Sequence, residues 1–333
     1  MKKILLYAII SYISIHFLFD TEVFLFFPKF IQIISNIKHL LIFFPALLLV
    51  GLIKNKYLAL IISGIIILSS LYKPILINIG KCKKPSNDFV GSKFRIGTFN
   101  LAGNQFQNLE IDKLILNENM DFVGFQEVPS SFLMSKEFEN LKNTYKYSVY
   151  NKNDSKYWTQ LILSKFELKD SAFLDPGIGF TTLDARISIK SNIEINERKI
   201  TIINNHLSIP FVRDQNCRGL KCLIFNYNQF DRDNQLNFLN NYISKNNGEF
   251  ILIGDFNLSD QNYSYTNFSK HLIDSSVCTL NLNYTWSNEF LFPFTRLDYI
   301  FIKSNSQIYP ISTKTIKIEG SDHLGVISEL GIY

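Results

Sequence analysis

The feature that most restricts this chain is a change of pattern near residue 92. Before it, apolar residues run on for lengths that no strand or soluble helix requires; after it, short apolar runs alternate with polar turns. From Ile4 to Phe27 only the neighbourhood of Asp20–Glu22 is polar, Leu40–Ile53 carries no charge, and Lys73 alone interrupts Tyr57–Ile79. A bilayer-spanning helix needs about 20 apolar residues. The first and third stretches have that length, and the second reaches it by extending back through Ile31–Ile37 across Lys38 and His39. The sequence therefore predicts a transmembrane anchor over residues 1–84, with three helices at about 4–27, 33–53 and 57–79, and a separate domain over 85–333. Apolar stretches that recur, with no small-residue cleavage site after the first, argue against a cleaved signal peptide.

Charge divides at the same place. Residues 1–84 hold ten of the 34 Lys and Arg but only Asp20 and Glu22 among the acids, leaving 24 basic and 27 acidic side chains for the rest. A protein that grips nucleic acid non-specifically carries its cations on the working domain; here that domain is mildly acidic, so nucleic acid is not the expected partner. Lys2, Lys3, Lys54 and Lys56 place the tail outside the cytoplasm by the positive-inside rule, whereas Lys81, Lys83 and Lys84 oppose it. Cys217 and Cys222 flank Arg-Gly-Leu-Lys, a spacing that a disulfide can close in an oxidising compartment. The expectation is a multi-pass protein of the cell membrane with an extracytoplasmic tail and a Cys217–Cys222 bridge, the alternative being two unrelated thiols. No paired Cys/His spacing supports zinc.

Within the tail, Phe94–Phe99, Phe122–Phe125, Leu161–Ser164, Arg186–Ile189, Ile200–Asn204, Phe250–Ile253, Asp298–Ile302 and Leu324–Ser328 read as strands, most of them too uniformly apolar to have a solvent face. Asn108–Asn117 and Arg232–Ser244 read as helices, the latter from Leu236, Leu239 and Ile243 at three- and four-residue steps. Buried strands with helices outside imply an α/β sandwich. Polar residues stand where the strands end: Asn100, Gln126-Glu127, Asn205-His206, Gly254-Asp255-Phe256-Asn257, and Ser321-Asp322-His323 before the last strand. One such ending is usually a turn. Five at a common sheet edge can bind a hard divalent cation through oxygen and move protons through imidazole.

Asn100, Gln126-Glu127, His206-Leu207, Gly254-Asp255-Phe256-Asn257, Leu297-Asp298-Tyr299-Ile300 and Ser321-Asp322-His323, in that order, resemble the motif set of the endonuclease/exonuclease/phosphatase superfamily over roughly residues 92–333. The resemblance implies a four-layer α/β sandwich of the DNase I-like type and a metal-dependent phosphoesterase. It implies Glu127 as principal Mg²⁺ ligand, with Mn²⁺ the alternative ion, and Asn100 and Asp322 completing or adjoining the metal shell. Asp255 and Asn257 would orient water and phosphate, Asp298 would hold His323 in one tautomer, and His206 would bind a phosphate oxygen or protonate the leaving group. Whether Asp255 or His323 is the base stays open. Arg232-Asp233-Asn234-Gln235 would open the helix after the His206 loop, and Thr285-Trp286 reads as packing beneath the site.

An anchored active site and the loop cations Arg213, Arg218 and Lys221 point to a phosphate-rich head group. Together they resemble membrane-bound bacterial members of the family that act on lipid-linked phosphates, such as polyprenyl-diphosphate phosphatases. A sphingomyelinase or phospholipase C-type phosphodiesterase is the alternative, and a membrane-tethered nuclease a third. The partners expected are the phosphorylated lipid and the bilayer, with no obligate protein partner.

Overall fold

The computed structural model describes residues 2–23, 32–71, 73–78, 80–82, 91–103, 110–150, 159–176, 187–210, 226–287 and 293–333. The chain forms two compact units: Met1–Ile79 with Phe211–Asn228 and Leu258–Lys270, and Gly80–Pro210 with Gln229–Asn257 and His271–Tyr333.

The first unit is helical, with helices over Lys2–Leu18, Lys38–Leu41, Phe43–Leu52, Lys56–Leu71 and Lys73–Asn78 and a 3₁₀ turn over Ile33–Ile37. Of the three continuous spans expected over 4–27, 33–53 and 57–79, the first is interrupted after Leu18 and the second at Ile42, while the third is described as helices Lys56–Leu71 and Lys73–Asn78, with residues 72 and 79 outside the described residues. Among the described residues no single helix is long and apolar enough to cross a membrane; Ile33–Leu41 and Phe43–Leu52 reach that length only as a pair bent by 44°. Each break has a local cause. The first helix tightens into i→i−3 bonds (Asp20 N to Phe17 O, 3.0 Å; Thr21 N to Leu18 O, 3.1 Å), and Asp20 turns to pair with both Lys38 and Lys73. Pro45 lacks the N–H that would continue the preceding helix, and its ring opposes the carbonyl of Leu41, so the chain bends at Ile42. The later segments of this unit are tied to it by polar contacts: Lys73 donates to Gln261 O at 2.9 Å, Ser259 Oγ to Asn36 O at 3.0 Å and Asn36 Nδ2 to Tyr227 Oη at 3.1 Å.

The second unit is built from β1 (Ser92–Asn100), β2 (Phe122–Val128), β3 (Tyr147–Tyr150), β4 (Thr159–Ser164), β5 (Lys169–Leu174), β6 (Ser188–Ile195), β7 (Arg198–His206), β8 (Glu249–Asp255), β9 (Leu272–Asp274), β10 (Asp298–Lys303), β11 (Ile308–Lys317) and β12 (Leu324–Ile332). They form two six-stranded sheets, β11-β12-β1-β2-β4-β3 and β5-β6-β7-β8-β10-β9. Phe94, Ile96, Phe122 and Val326 of the first sheet share one buried cluster with Ile200, Ile202, Ile251, Ile253 and Ile300 of the second. Each such side chain taken from water stabilises the sandwich by roughly 1.5–3 kcal/mol. On the outer face of the first sheet, Ile111 and Ile115 of one helix (Ile111–Asn117) and Phe138 and Leu141 of another (Lys136–Thr144) cover Val123, Phe125, Leu161 and Leu163. On the second sheet, Tyr242 of the helix Phe230–Lys245 meets Phe250 edge to face, and Lys303 Nζ reaches Ile243 O at 3.2 Å. A two-sheet α/β sandwich results.

Each strand expected from the sequence has a counterpart, but the expected Arg186–Ile189 shares only Ser188 and Ile189 with β6, Ile187 being outside the strand and Arg186 outside the described residues. The edge strands β3, β5, β9 and β11 and the helix Lys136–Thr144 were not foreseen. A disulfide joins Cys82 to Cys278, with Cα atoms 5.3 Å apart and a sequence separation of 196. The expected Cys217–Cys222 bridge and the cations Arg213, Arg218 and Lys221 lie outside the described residues.

Candidate active site

Register assembles the site. β7 and β8 run parallel with His206 opposite Asp255, and antiparallel β10 brings Asp298 opposite Asp255 on the other side. Residues directly opposite on adjacent strands share a face, so one row of the second sheet carries His206, Asp255 and Asp298. In the first sheet β1 and β2 run parallel with Asn100 opposite Gln126. Glu127 reaches the same place through an irregularity: the β2–β4 register shifts between Phe125 and Val128, and Glu127 adopts φ +51°. A bulge of this kind re-aims a side chain that regular alternation would turn elsewhere. Gly254 is required by its surroundings, since it sits at φ +135° and a Cβ there would lie 1.9 Å from Asn205 O.

The functional groups converge. Asn100 Nδ2 donates to Asp255 Oδ2 at 2.9 Å and Glu127 Oε1 at 3.3 Å, while its Oδ1 accepts from Ala102 N at 2.9 Å. His206 Nε2 lies 3.4 Å from Glu127 Oε1 and 3.6 Å from Asp255 Oδ2. His323 Nδ1 is 2.8 Å from Asp298 Oδ2, and its Nε2 is 3.8 Å from Asp255 Oδ2. Asn257, at φ +47°, donates its backbone N–H to Asp255 Oδ1 at 2.8 Å and its Nδ2 to Leu207 O at 2.8 Å. Asp322 points differently: its carboxylate accepts the indole N–H of Trp286 at 2.9 Å. Trp286 thus holds a site residue as well as packing there. Thr285 Oγ1 accepts from the backbone of Leu297 and Asp298 at 3.0 and 3.2 Å, fixing the start of β10.

Beneath these groups lie Gln126, which belongs to the motif set, and Thr98 and Asn204, which do not. Gln126 Nε2 donates to Asn204 Oδ1 at 2.6 Å, Thr98 Oγ1 to Gln126 Oε1 at 3.1 Å, and Asn204 Nδ2 to Phe125 O at 3.1 Å. The two bonds made by Asn204 cross from one sheet to the other and so fix the spacing between Asn100 and Glu127 on one side and His206 and Asp255 on the other. For Thr98 and Asn204 the only sequence signal was polarity inside otherwise apolar strands.

Burial is the largest influence on Asp255 and raises its pKa; Asp298 adds to the rise, and His323, His206 and the Asn257 N–H oppose it. For His323, burial works against the charged ring, but attraction to Asp298 and Asp255, the bond to Asp298 and the more distant Asp322 together push it up to about 10. The site is rich in negative charge and draws cations. Single ligand atoms of Glu127, His206 and Asp255 lie within 4.8 Å of one another, as do those of Asp255, Asp298 and His323. Two carboxylates with one imidazole suit a hard divalent cation. The second group is already committed to the His323–Asp298 pair, so the first is the better fit.

Residues 97–323 match the Endonuclease/Exonuclease/phosphatase family, and the chain belongs to it. It is by that membership a hydrolase of phosphoester bonds, in a family whose catalysis is typically metal-dependent. Among solved structures, the chain resembles truncated TDP2 from Caenorhabditis elegans at 15% identity and a TM-score of 0.55, covering 72% of this chain and 98% of that one. An endonuclease/exonuclease/phosphatase from Bacteroides vulgatus gives 17% and 0.56, over 73% and 100% of the two chains. A family protein from Leptotrichia buccalis gives 19% and 0.53, over 71% and 99%. At these identities the likeness establishes the DNase I-like fold alone. Comparison with curated proteins gave no match.

Proposed function

We propose that the protein is a membrane-associated, divalent-metal-dependent phosphoesterase whose substrate is a lipid-linked phosphate or diphosphate, such as a polyprenyl diphosphate. The observation that carries the chemistry is the convergence of Glu127, His206, Asp255, Asp298 and His323 on one sheet edge. Glu127 would hold the ion with Asp255 or His206 beside it and Asn100 bracing the carboxylates, while Asp322, tied to Trp286, would contribute charge from behind. The bound ion would supply charge neutralisation at the phosphate and a more acidic water. Asp255, its proton affinity raised by burial, is the better candidate for general base. His323, kept cationic by Asp298, would bind a non-bridging phosphate oxygen. His206 would serve the leaving group, and Asn257 would orient water or phosphate.

The lipid reading is supported by where apolar surface is exposed. Of the 24 exposed large apolar side chains among the described residues, eighteen lie within residues 7–76, among them Phe44, Leu47, Tyr57, Ile61 and Ile65. Such a density marks a surface that meets lipid or protein rather than water. The bent and short helices fit a unit lying partly in the bilayer as well as one crossing it. The Cys82–Cys278 disulfide supports an extracytoplasmic catalytic unit, because thiols stay reduced in most cytoplasms. Arg213, Arg218 and Lys221 remain candidates for head-group binding. The nuclease reading is favoured by one observation: a structural relative, TDP2 from D. rerio, was solved with a single-strand DNA product.

The test uses the full chain in lipid nanodiscs, offered polyprenyl diphosphate, sphingomyelin, bis-p-nitrophenyl phosphate or single-stranded DNA, each with Mg²⁺ and with chelator. Metal-dependent phosphate release from the polyprenyl lipid is the expected result. Efficient DNA cleavage with every lipid ignored would establish the nuclease reading instead.

A further inference from the structure

The helix Phe230–Lys245 begins with a fully buried arginine, and no role in binding or proton transfer accounts for it. Arg232 Nη1 donates to Asn257 O at 2.9 Å and Nη2 to Gln229 Oε1 at 3.0 Å, while Nε and Nη2 reach Asp233 Oδ1 at 3.3 and 3.1 Å. Three residues on, and therefore on the same face of the helix, buried Gln235 accepts the backbone N–H of Ser208 at 2.8 Å through its Oε1. The two side chains thus hold two separate strand ends: the one after His206-Leu207 and the one that closes Gly254-Asp255-Phe256-Asn257. Those ends are joined to each other, by Asn257 Nδ2 to Leu207 O at 2.8 Å and Leu207 N to Asp255 O at 3.0 Å.

The chain order gives this arrangement a purpose. The catalytic unit is interrupted after Pro210, resumes at Gln229 and is interrupted again after Asn257. Ser208, Gln229 and Asn257 stand at or within two residues of these three crossings, and all three are fastened to the first two turns of one helix. Asn257 also adopts a left-handed φ of +47°, a conformation that persists where its surroundings hold it.

We infer that Arg232 and Gln235 are positioning residues, which lock the Asn257 turn and the His206 loop in catalytic register at the points where the chain leaves the catalytic unit. A buried guanidinium suits this task because its planar fork serves three acceptors at fixed angles, which a lysine ammonium cannot do. The inference rests on the family's phosphoester hydrolysis and not on the lipid substrate.

Arg232→Lys in the full chain should lower kcat on bis-p-nitrophenyl phosphate with Mn²⁺ about tenfold or more, with KM within about twofold. Misplacement of a reacting group affects turnover more than ground-state binding. In an Asn257→Ala background the same change should cost less than about twofold, since the side chain it positions is gone. Hydrogen exchange read by mass spectrometry should rise in peptides covering 206–210 and 254–257 and stay unchanged in 308–317. An equal penalty in both backgrounds, or a rise in exchange throughout, would overturn the inference. Should Arg232→Lys fail to fold, Gln235→Leu frees only Ser208 and should reduce kcat about threefold with exchange rising at 206–210; no change in either would be equally fatal. If the wild type proves inactive on this probe, the phosphodiester is not a substrate, and the exchange pattern alone decides on the brace.

Discussion

Asp298→Asn tests the electrostatics of the site at its most sensitive bond. His323 is held at a pKa of about 10 against an ordinary value of 6.5, a preference for the imidazolium worth about 5 kcal/mol. Burial alone would lower that pKa, so the carboxylates must overcome it, and Asp298 is the strongest of them, 2.8 Å from Nδ1. Asparagine preserves the shape and an acceptor but removes the charge, leaving Asp255 as the main attraction and burial still opposing it. The His323 pKa should fall by roughly two or more pH units. The chain has only five histidines, so ring signals in metal-free, histidine-labelled protein can be assigned by single substitutions and titrated by NMR. The sign of the linked stability follows from the rise: the contribution is fully present below about 6.5 and is lost as pH climbs through about 10. Denaturation in chelator should therefore show the largest gap between wild type and variant at pH 6, closing toward pH 10. Turnover should fall roughly 10²- to 10⁴-fold, as when a hydrolase loses the carboxylate that orients its imidazole. A wild-type ring titrating near 6.5, or a variant ring still titrating near 10, would refute the reasoning.

Glu127→Gln and Asp255→Asn should each lower turnover by about 10² or more, with weakened Mn²⁺ binding by calorimetry for Glu127→Gln; chelation should abolish wild-type activity and Mg²⁺ or Mn²⁺ restore it. Cys278→Ala should lower stability by roughly 5 kcal/mol on a chain-entropy estimate for so long a loop, measured by denaturant midpoint, and non-reducing mass spectrometry of wild type should recover the Cys82–Cys278 peptide pair. Wild-type stability indifferent to reductant would count against the bridge.

What the sequence made legible depended on whether a signal was local. Strands such as Phe250–Ile253 and Ile200–Asn204 are apolar on both faces because each lies in the middle of a covered sheet, so their ends, and the polar residues standing there, could be read directly. The edge strands could not: β5 is Lys-Asp-Ser-Ala-Phe-Leu and mostly exposed, and β11 alternates only from Pro310 onward, around a register shift. The bulge that aims Glu127 leaves no mark in Phe-Gln-Glu-Val, because its cause is pairing with β4, more than thirty residues away. Apolar length was equally misleading in the first unit. It measures how much of a segment avoids water, not whether the helix continues, and continuity was decided by Pro45 and the attraction of Asp20 for Lys38 and Lys73. The cysteines show the same asymmetry. Proximity in sequence drew attention to Cys217 and Cys222, whereas Cys82 is bridged to Cys278, the last residue of the short helix Ser275–Cys278 that follows β9, 196 positions along the chain. Arg232 lies between these cases: Arg-x-x-Gln at a helix start was visible as a segment, but its meaning depends on two loops that arrive from elsewhere. A buried arginine reaching main-chain carbonyl rather than substrate marks where the fold spends stability on geometry, and that expenditure is sensible only if the residues so held, Asn257 and His206, must be accurate to a fraction of an ångström.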